Sequence, residues 1–293
     1  MKKKAILIDG KYRASLILDK LKKNIEYQKK ENNLIAKLGI ISIGSDPASS
    51  TYVKNKINTA KRVGIDTEYI NFKESINEKT LLAKIAYMNL DPSVSGIIVQ
   101  LPLPKQISKE KIINAISPKK DVDGFHPLNV GVLNSGYTGG FIPCTAKGCL
   151  ELIKSTQINL IGKHIVIIGR SNIVGRPLFS LLNKENATIT LCHSRTQNLS
   201  EITVNADIVI TAIGKPLFFT PKYFSEKAVV IDVGINRIEF DNTLKLVGDV
   251  DFDAVKNKVS YITPVPGGVG PMTIACLLTN TFEAMMRIHN NKY

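Results

Sequence analysis

Short apolar runs alternate with segments of helical hydrophobic spacing along almost the whole chain, and this alternation restricts the possible folds most strongly. Parallel strands joined by right-handed helical crossovers produce this order, so both halves of the chain are predicted to be α/β. The predicted strands span 38–43, 67–72, 95–101, 163–168, 187–192, 207–212 and 228–233, and the predicted helices span 11–31, 47–63, 78–90, 145–155, 176–183 and 273–289.

Composition excludes several classes of protein. With 293 residues, of which 44% are hydrophobic, the chain has material for about two folded domains and is not a disordered protein. No apolar stretch approaches the ~20 residues of a membrane span, and neither a spanning protein nor a secreted precursor is expected. The four cysteines form no C-x-x-C pair, which predicts neither a zinc site nor a disulfide framework. We therefore expect a reducing, cytoplasmic location.

The formal net charge of +14 is concentrated near the N-terminus. Helical spacing over 11–31 places most of the lysines opposite the apolar residues, which is typical of a solvated helix face. The alternative is a nucleic-acid surface, but no helix-turn-helix, zinc finger or aromatic-basic RNA-binding pattern accompanies it. The surplus of cations also suits small anionic ligands.

Three polar residues, Ser49, Tyr52 and Lys56, are three and four positions apart on a predicted helix, so their side chains lie along one side of it. Burial or a nearby cation would favour the neutral amine of Lys56, which could then transfer protons near pH 7. Gln100 ends an apolar strand, where open α/β sheets face their ligand crevice. We expect Ser49 to contact the substrate. A solvated polar stripe and an ordinary strand exit are the alternatives to a functional site.

An aspartate pair lies in the segment from Lys120 to Pro127. Asp121 and Asp123 have no further acidic ligands nearby, so they make a poor site for Ca²⁺. A single carboxylate can instead accept two N–H groups of an amino-heterocycle such as a pterin. His126 could be catalytic, but a turn histidine that caps backbone groups is the better interpretation.

A glycine-bearing turn, Gly169-x-Ser171-x-x-x-Gly175, follows a predicted strand and precedes a predicted helix. Small residues at such a turn let the backbone approach a pyrophosphate, whose charge the helix N-terminus favours. A nucleotide-free α/β domain with a tight glycine turn is the alternative.

The choice of nucleotide depends on the end of the next predicted strand. About twenty residues after the glycine turn, an NAD-binding protein usually carries an acid for the ribose hydroxyl, and this chain has none there. Arg170, Ser194 and Arg195 could contact a 2′-phosphate instead, which favours NADP over NAD.

The segment from Ile262 to Thr273 contains three prolines and three glycines within ten residues. Such a loop, poor in side chains, can press its backbone against a flat ligand. We therefore expect substrate contacts at Pro266, Gly267, Gly268 and Thr273, although a plain interdomain linker has a similar composition.

Taken together, these segments resemble the bifunctional methylenetetrahydrofolate dehydrogenase/methenyltetrahydrofolate cyclohydrolase family over essentially the whole chain. One departure is Ala146-Lys147, where the family often has another proline. The motifs that carry the resemblance are Tyr52-Val53-x-x-Lys56, Gly96-Ile97-Ile98-Val99-Gln100-Leu101-Pro102-Leu103-Pro104, Lys120-Asp121-Val122-Asp123-Gly124-Phe125, Pro143-Cys144-Thr145, Gly169-Arg170-Ser171, Asp232-Val233-Gly234-Ile235-Asn236, Gly248-Asp249-Val250 and the Pro-Gly-Gly-Val-Gly-Pro-Met-Thr loop from Pro266.

The resemblance implies a two-domain α/β fold with a cleft between the domains. Residues 1–145 would form a catalytic folate domain, completed by a returning C-terminal helix over 273–293, and residues 146–272 a Rossmann-like, parallel-sheet NADP-binding domain. The implied activity is oxidation of 5,10-methylenetetrahydrofolate with NADP, followed by hydrolysis of the methenyl product to 10-formyltetrahydrofolate, in one-carbon metabolism and purine biosynthesis. The family is usually homodimeric and needs no metal.

The resemblance also implies roles for residues. Tyr52, Lys56 and Gln100 would form the cyclohydrolase site, and Asp123 would bind the pterin ring. Oxidation needs no dedicated base, because the lone pairs of two flanking nitrogens stabilise the cation that remains, whereas hydrolysis needs proton transfer, which we assign to Lys56. The positions that match the family's NADP contacts are Gly169, Arg170, Ser171, Ser194 and Ile235.

Three alternatives stay open. An NADP-dependent oxidoreductase of the shikimate-dehydrogenase kind would oxidise an alcohol and ignore folate. A basic nucleic-acid-binding protein would bind DNA or RNA with a steep dependence on salt. An inactive folate or NADP sensor is the third, although Lys56, Gln100 and Asp123 are all in place. We expect two activities, without an added formyltetrahydrofolate synthetase domain.

Overall fold

The computed structural model describes residues 4–240 and 243–290. They form two compact α/β units. The first contains the described residues up to Ala14 and Thr145–Thr273, and the second contains Ser15–Cys144 and the described residues from Ile274 onward. We call them the six-stranded unit and the three-stranded unit, after their main sheets.

Strands and helices alternate through most of the described chain, and none of its helices has the length and apolar character of a membrane span. In chain order the strands are β1 (Ile6–Leu7), β2 (Lys37–Ile43), β3 (Asp66–Phe72), β4 (Gly96–Val99), β5 (His164–Ile168), β6 (Thr188–Cys192), β7 (Ile208–Thr211), β8 (Val229–Asp232), β9 (Asn236–Phe240), β10 (Thr243–Val247) and β11 (Tyr261–Ile262). The helices are α1 (Gly10–Asn32), α2 (Pro47–Val63), α3 (Glu78–Leu90), α4 (Lys109–Ala115), α5 (Pro127–Asn134), α6 (Cys144–Lys154), α7 (Gly175–Lys184), α8 (Leu199–Val204), α9 (Phe252–Val255) and α10 (Val269–His289).

The six-stranded unit is built on a parallel sheet in the order β1-β11-β8-β7-β5-β6. Strands β7 and β8 are buried along their whole length, which explains their uninterrupted apolar sequences. Phe219, Phe224 and Val230 belong to the core on this sheet. The predicted boundaries place the first residues in the other domain, but the pairing of β1 with β11 joins the residues up to Ala14 to this unit.

The three-stranded unit contains a parallel sheet in the order β3-β2-β4. Its core includes Ile41, Leu81 and Ile97, which are all fully buried. The order places β2 at the centre, so the carboxyl ends of β2 and β4 lie side by side. A residue that directly follows β4 therefore lies where the carboxyl ends of the strands meet.

Local signals in the sequence set several helix boundaries. Helices α2 and α3 begin and end as predicted, and Gly64 ends α2 with a φ of 88°. Helix α10 begins at Val269 rather than at 273, so the predicted glycine- and proline-rich loop is shorter than expected. Pro271 fits inside the first turn because the N–H groups of that turn have no helical acceptor. The antiparallel hairpin of β9 and β10 was not predicted.

Candidate active site

Lys56, Gln100 and Tyr52 are neighbours in the three-stranded unit. Lys56 Nζ donates a hydrogen bond to Gln100 Oε1 at 3.1 Å, and it lies 4.9 Å from the centre of the Tyr52 ring. The lysine is only 5% exposed, so these side chains replace most of its hydration. The residues predicted as catalytic are therefore brought together by the fold.

Helix α2 and strand β4 fix this arrangement. Asp46 caps α2 by accepting a hydrogen bond from Ser49 N at 2.7 Å. Gln100 directly follows β4, and its Nε2 donates to Leu101 O at 2.9 Å, which leaves Oε1 for the lysine. In the described part of the chain no hydrogen bond joins Ser49 to Lys56 or Gln100, so the substrate contact of Ser49 stays a prediction.

Asp121 is a structural carboxylate. It is 2% exposed and accepts hydrogen bonds from Phe125 N, His126 N and Asn129 Nδ2 at 3.2, 2.8 and 2.8 Å. Burial raises its pKa, against these hydrogen bonds. His126 Nδ1 accepts from Leu128 N at 3.1 Å at the start of α5, which confirms the interpretation of His126 as a cap.

Asp123 differs from its neighbour. Its side chain is half-buried, and no group in residues 4–240 or 243–290 donates a hydrogen bond to its carboxylate. Burial raises the pKa of Asp123, and the charge of Lys56 opposes that effect. A partly desolvated carboxylate without a donor, within the electrostatic reach of a buried lysine, is ready to accept N–H groups from a ligand.

Asn280 holds the backbone beside Asp123, and the sequence did not reveal this. It is 1% exposed on α10, and its Nδ2 donates to Val122 O at 2.9 Å and to Ile142 O at 3.1 Å. Cys144 Sγ also donates to Val122 O at 3.2 Å. The one available signal was an amide on an otherwise apolar helix face, which has no motif of its own.

The turn between β5 and α7 has no room for side chains. A Cβ atom on Gly169 would lie 2.3 Å from Ala212 O, and one on Gly175 would lie 1.7 Å from Gly169 O. Gly169 also has a φ of 120°, which favours glycine. Ser171 Oγ accepts a hydrogen bond from Val174 N at 3.1 Å. This backbone cradle at the N-terminus of a ten-residue helix fits the pyrophosphate of a dinucleotide.

Exposed cationic and hydroxyl side chains occur in this turn and directly after β6. Gly169 N donates to Cys192 O at 2.9 Å, which joins the turn to the end of β6. Ser194 and Arg195 follow directly and are exposed, as is Arg170. Arg195 N donates to His193 Nδ1 at 3.1 Å. These groups are suited to binding a phosphate. A free ribose hydroxyl would usually be bound by an acidic side chain instead.

Ile235 follows β8 and is 58% exposed. Its neighbours are fixed by two buried carboxylates: Gly234 N donates to Asp232 Oδ1 and Asn236 Nδ2 donates to Asp249 Oδ1, each at 3.0 Å. Burial raises the pKa of Asp232 to about 6, against its hydrogen bonds, so the carboxylate remains the main form at pH 7.

The residues from Pro266 to Gly268 form a tight turn before α10. Gly267 has a φ of 111°, and a Cβ atom on Gly268 would lie 2.6 Å from Pro264 O. Thr273 lies inside α10, where its Oγ1 donates to Val269 O at 3.2 Å. Their predicted substrate contacts stay predictions.

A glycine cradle on a parallel sheet, together with a buried lysine that bonds a glutamine near an unpartnered carboxylate, defines the chain as a two-domain, nucleotide-dependent α/β enzyme. Family models give the particular kind. The model described as tetrahydrofolate dehydrogenase/cyclohydrolase, catalytic domain, matches residues 8–123, and that for the NAD(P)-binding domain matches residues 143–289. The chain belongs to the tetrahydrofolate dehydrogenase/cyclohydrolase family.

Individual relatives agree with this assignment. The chain is 59% identical over 278 residues to the bifunctional protein FolD of Rickettsia bellii, covering 95% of this chain and 97% of that protein. It is 47% identical to the FolD methylenetetrahydrofolate dehydrogenase/cyclohydrolase of Campylobacter jejuni, with a TM-score of 0.93 and coverage of 97% and 99%. It is 33% identical to the Trypanosoma brucei enzyme solved with NADP and an inhibitor, with a TM-score of 0.95 and coverage of 99% and 100%.

The shikimate-dehydrogenase alternative is less well supported. The Aquifex aeolicus shikimate dehydrogenase is 18% identical, with a TM-score of 0.52 and coverage of 88% and 93%, so it shares the fold alone. The chain is an NAD(P)-linked tetrahydrofolate dehydrogenase and cyclohydrolase.

Proposed function

We propose that the chain oxidises 5,10-methylenetetrahydrofolate to 5,10-methenyltetrahydrofolate with NADP, and then hydrolyses this product to 10-formyltetrahydrofolate with Lys56 as the proton-transfer group. The observation that carries the proposal is the hydrogen bond from Nζ of the buried Lys56 to Gln100 Oε1, in the same unit as the carboxylate of Asp123. The name of the Campylobacter relative states both activities, and that of the Rickettsia relative describes a bifunctional protein, which supports the proposal.

Hydrolysis is the step that needs a proton carrier. Water adds to the methenyl carbon, and the neutral amine of Lys56 accepts the proton that the water loses. The resulting ammonium then returns this proton to the ring nitrogen as the carbon–nitrogen bond breaks. The hydroxyl of the adduct loses its own proton to water as it becomes the carbonyl of the formyl group on the other nitrogen, so one proton is released overall. Gln100 Oε1 holds Nζ in place, and Tyr52 covers it with the face of its ring.

Oxidation depends on positioning rather than on a base. NADP, when bound, supplies the nicotinamide ring that accepts a hydride from the methylene carbon. The carboxylate of Asp123 accepts N–H groups of the pterin ring and so orients that carbon. We include Ser49, Pro266, Gly267, Gly268 and Thr273 as further substrate contacts.

The nucleotide is held by the glycine cradle of the six-stranded unit. Gly169, Ser171 and Gly175 let backbone groups approach the pyrophosphate. Arg170, Ser194 and Arg195 contact the 2′-phosphate, and Ile235 contacts the nucleotide from the end of β8. The complex of the Trypanosoma brucei enzyme with NADP supports this choice.

We also propose a homodimer that works in the cytoplasm and supplies one-carbon units for purine biosynthesis. Strand β3 supports a dimer, because it lies at the edge of its sheet and its free backbone groups can pair with a second copy. The four cysteines are buried and none of them forms a disulfide, which supports a reducing compartment.

A spectrophotometric assay tests the function. Purified protein is given methylenetetrahydrofolate with NADP or with NAD, and reduced nucleotide and methenyl absorbance are followed in time. We expect NADP-dependent reduction, with methenyl product that forms and then disappears. Oxidation of shikimate without any reaction of the folate would contradict the proposal.

A further inference from the structure

Two buried aspartates, Asp232 and Asp249, have no task in the proposed function. They are 3% and 0% exposed, and they lie in the six-stranded unit at the end of β8 and shortly after β10. Buried carboxylates are costly unless hydrogen bonds compensate for the lost hydration. Their partners therefore indicate what the pair does.

The Asp232 carboxylate accepts hydrogen bonds from four groups. Its Oδ2 accepts from Val250 N at 2.9 Å, and its Oδ1 accepts from Thr211 Oγ1, Gly234 N and Asp249 N at 3.1, 3.0 and 3.0 Å. One aspartate thus joins the ends of β7 and β8 to the backbone of the other aspartate.

The Asp249 carboxylate also has four donors. Its Oδ2 accepts from Ile213 N at 2.7 Å and Gly214 N at 3.1 Å, and its Oδ1 accepts from Lys215 N at 2.9 Å and Asn236 Nδ2 at 3.0 Å. Two donors on each oxygen match the lone-pair sites of the Asp249 carboxylate, so this aspartate has no capacity left for a ligand.

Two glycines make this packing possible. A Cβ atom on Gly234 would lie 2.2 Å from Asp249 Oδ1, and one on Gly248 would lie 1.8 Å from Asp232 Oδ2. The Asp249 carboxylate thus lies against Gly234, two residues after Asp232. The Asp232 carboxylate lies against Gly248, directly before Asp249. The arrangement is reciprocal, and a change at either end displaces the loops.

We propose that Asp232 and Asp249 are a positioning pair that sets the affinity for NADP by fixing the loops 212–215 and 233–236. Both loops leave the carboxyl ends of parallel strands, the edge where open α/β sheets bind nucleotides. Ile235, a proposed nucleotide contact, lies between two residues that the pair holds. This inference rests on the proposed NADP function.

The test separates positioning from general structural support by using both activities of one protein. Asp249→Asn replaces one carboxylate oxygen, which accepts hydrogen bonds, with an amide NH2 group. The hydrogens of that group then face backbone N–H donors and cannot accept from them. We expect the Kd for NADP, measured by calorimetry, to rise about tenfold or more. Cyclohydrolase kcat should stay within about twofold of the wild type, because the proposed proton-transfer residues Lys56 and Gln100 lie in the three-stranded unit.

A milder variant keeps the test decisive if Asp249→Asn does not fold. Asn236→Ala deletes one hydrogen bond to Asp249 and leaves the other donors in place, so we expect about threefold weaker NADP binding. Gly131→Ala is the matched control, because its added Cβ meets no atom within 4 Å, and its Kd should equal that of the wild type.

The outcomes distinguish the two claims. An unchanged Kd in the folded variants, or a parallel loss of NADP binding and cyclohydrolase activity, would overturn the positioning role. If the wild-type protein itself fails to bind NADP, the proposed function is at fault rather than this inference.

Discussion

At the scale of single residues, the chemistry depends on how Lys56 is held. Its side chain is 5% exposed, and its hydrogen-bond acceptor is the neutral amide oxygen of Gln100. The amide oxygen orients Nζ by accepting its hydrogen bond and adds no charge of its own. The same lysine can therefore accept and return a proton during one turnover.

In the proposed function, the preference for NADP over NAD also depends on single residues. Arg195 is exposed after β6, and we expect Arg195→Ala to raise the KM for NADP about tenfold while the KM for NAD changes little, because only NADP carries the 2′-phosphate. Steady-state kinetics with both nucleotides measure the ratio. Lys184→Ala, at the far end of α7, is the control and should leave the ratio unchanged. An equal effect of Arg195→Ala on both nucleotides would contradict this role.

At the scale of elements, the strongest sequence signals were local ones. The cap at Asp46 and the terminator Gly64 fixed both ends of α2, and with them the register that aligns Tyr52 and Lys56. Strand β1 could not be foreseen, because it has two residues and pairs with β11 at the other end of the chain. The buried contacts of Asn280 and of the aspartate pair were hidden for the same reason, since their partners are distant in sequence.

Helix α10 provides a test of packing within the three-stranded unit. Asn280→Ala leaves the carbonyls of Val122 and Ile142 without their amide donor, so we expect the free energy of unfolding to fall by about 2 kcal/mol. The KM for the folate substrate should also rise, because Val122 directly precedes Asp123 in the chain. Denaturant unfolding and steady-state kinetics measure the two effects.

Thr279→Ala is the control for this helix. The Thr279 hydroxyl bonds only within α10, to Ala275 O, so its loss should cost about 0.5 kcal/mol and leave the KM unchanged. Equal effects of the two variants would show that Asn280 has no special part.

At the scale of the whole molecule, two activities are assigned to different residues of one chain. Lys56, Gln100 and Asp123 lie in the three-stranded unit, and the glycine cradle lies in the six-stranded unit. Alternating apolar runs were enough to predict two α/β domains, because parallel sheets need that order. The apolar runs could not show which unit the first residues belong to, because this depends on the pairing of β1 with β11. The roles of the site residues came from the family resemblance, since spacing alone favoured a solvated stripe for Ser49, Tyr52 and Lys56.

The most direct measurement follows methenyl absorbance and reduced NADP together in a Lys56→Met variant, with Lys54→Met, exposed on the same helix, as the control. The account predicts that Lys56→Met still reduces NADP but accumulates the methenyl product, because the proton carrier is gone while the hydride step needs no base. Lys54→Met should form and consume that product like the wild type. Hydrolysis at the wild-type rate by folded Lys56→Met protein would contradict the account.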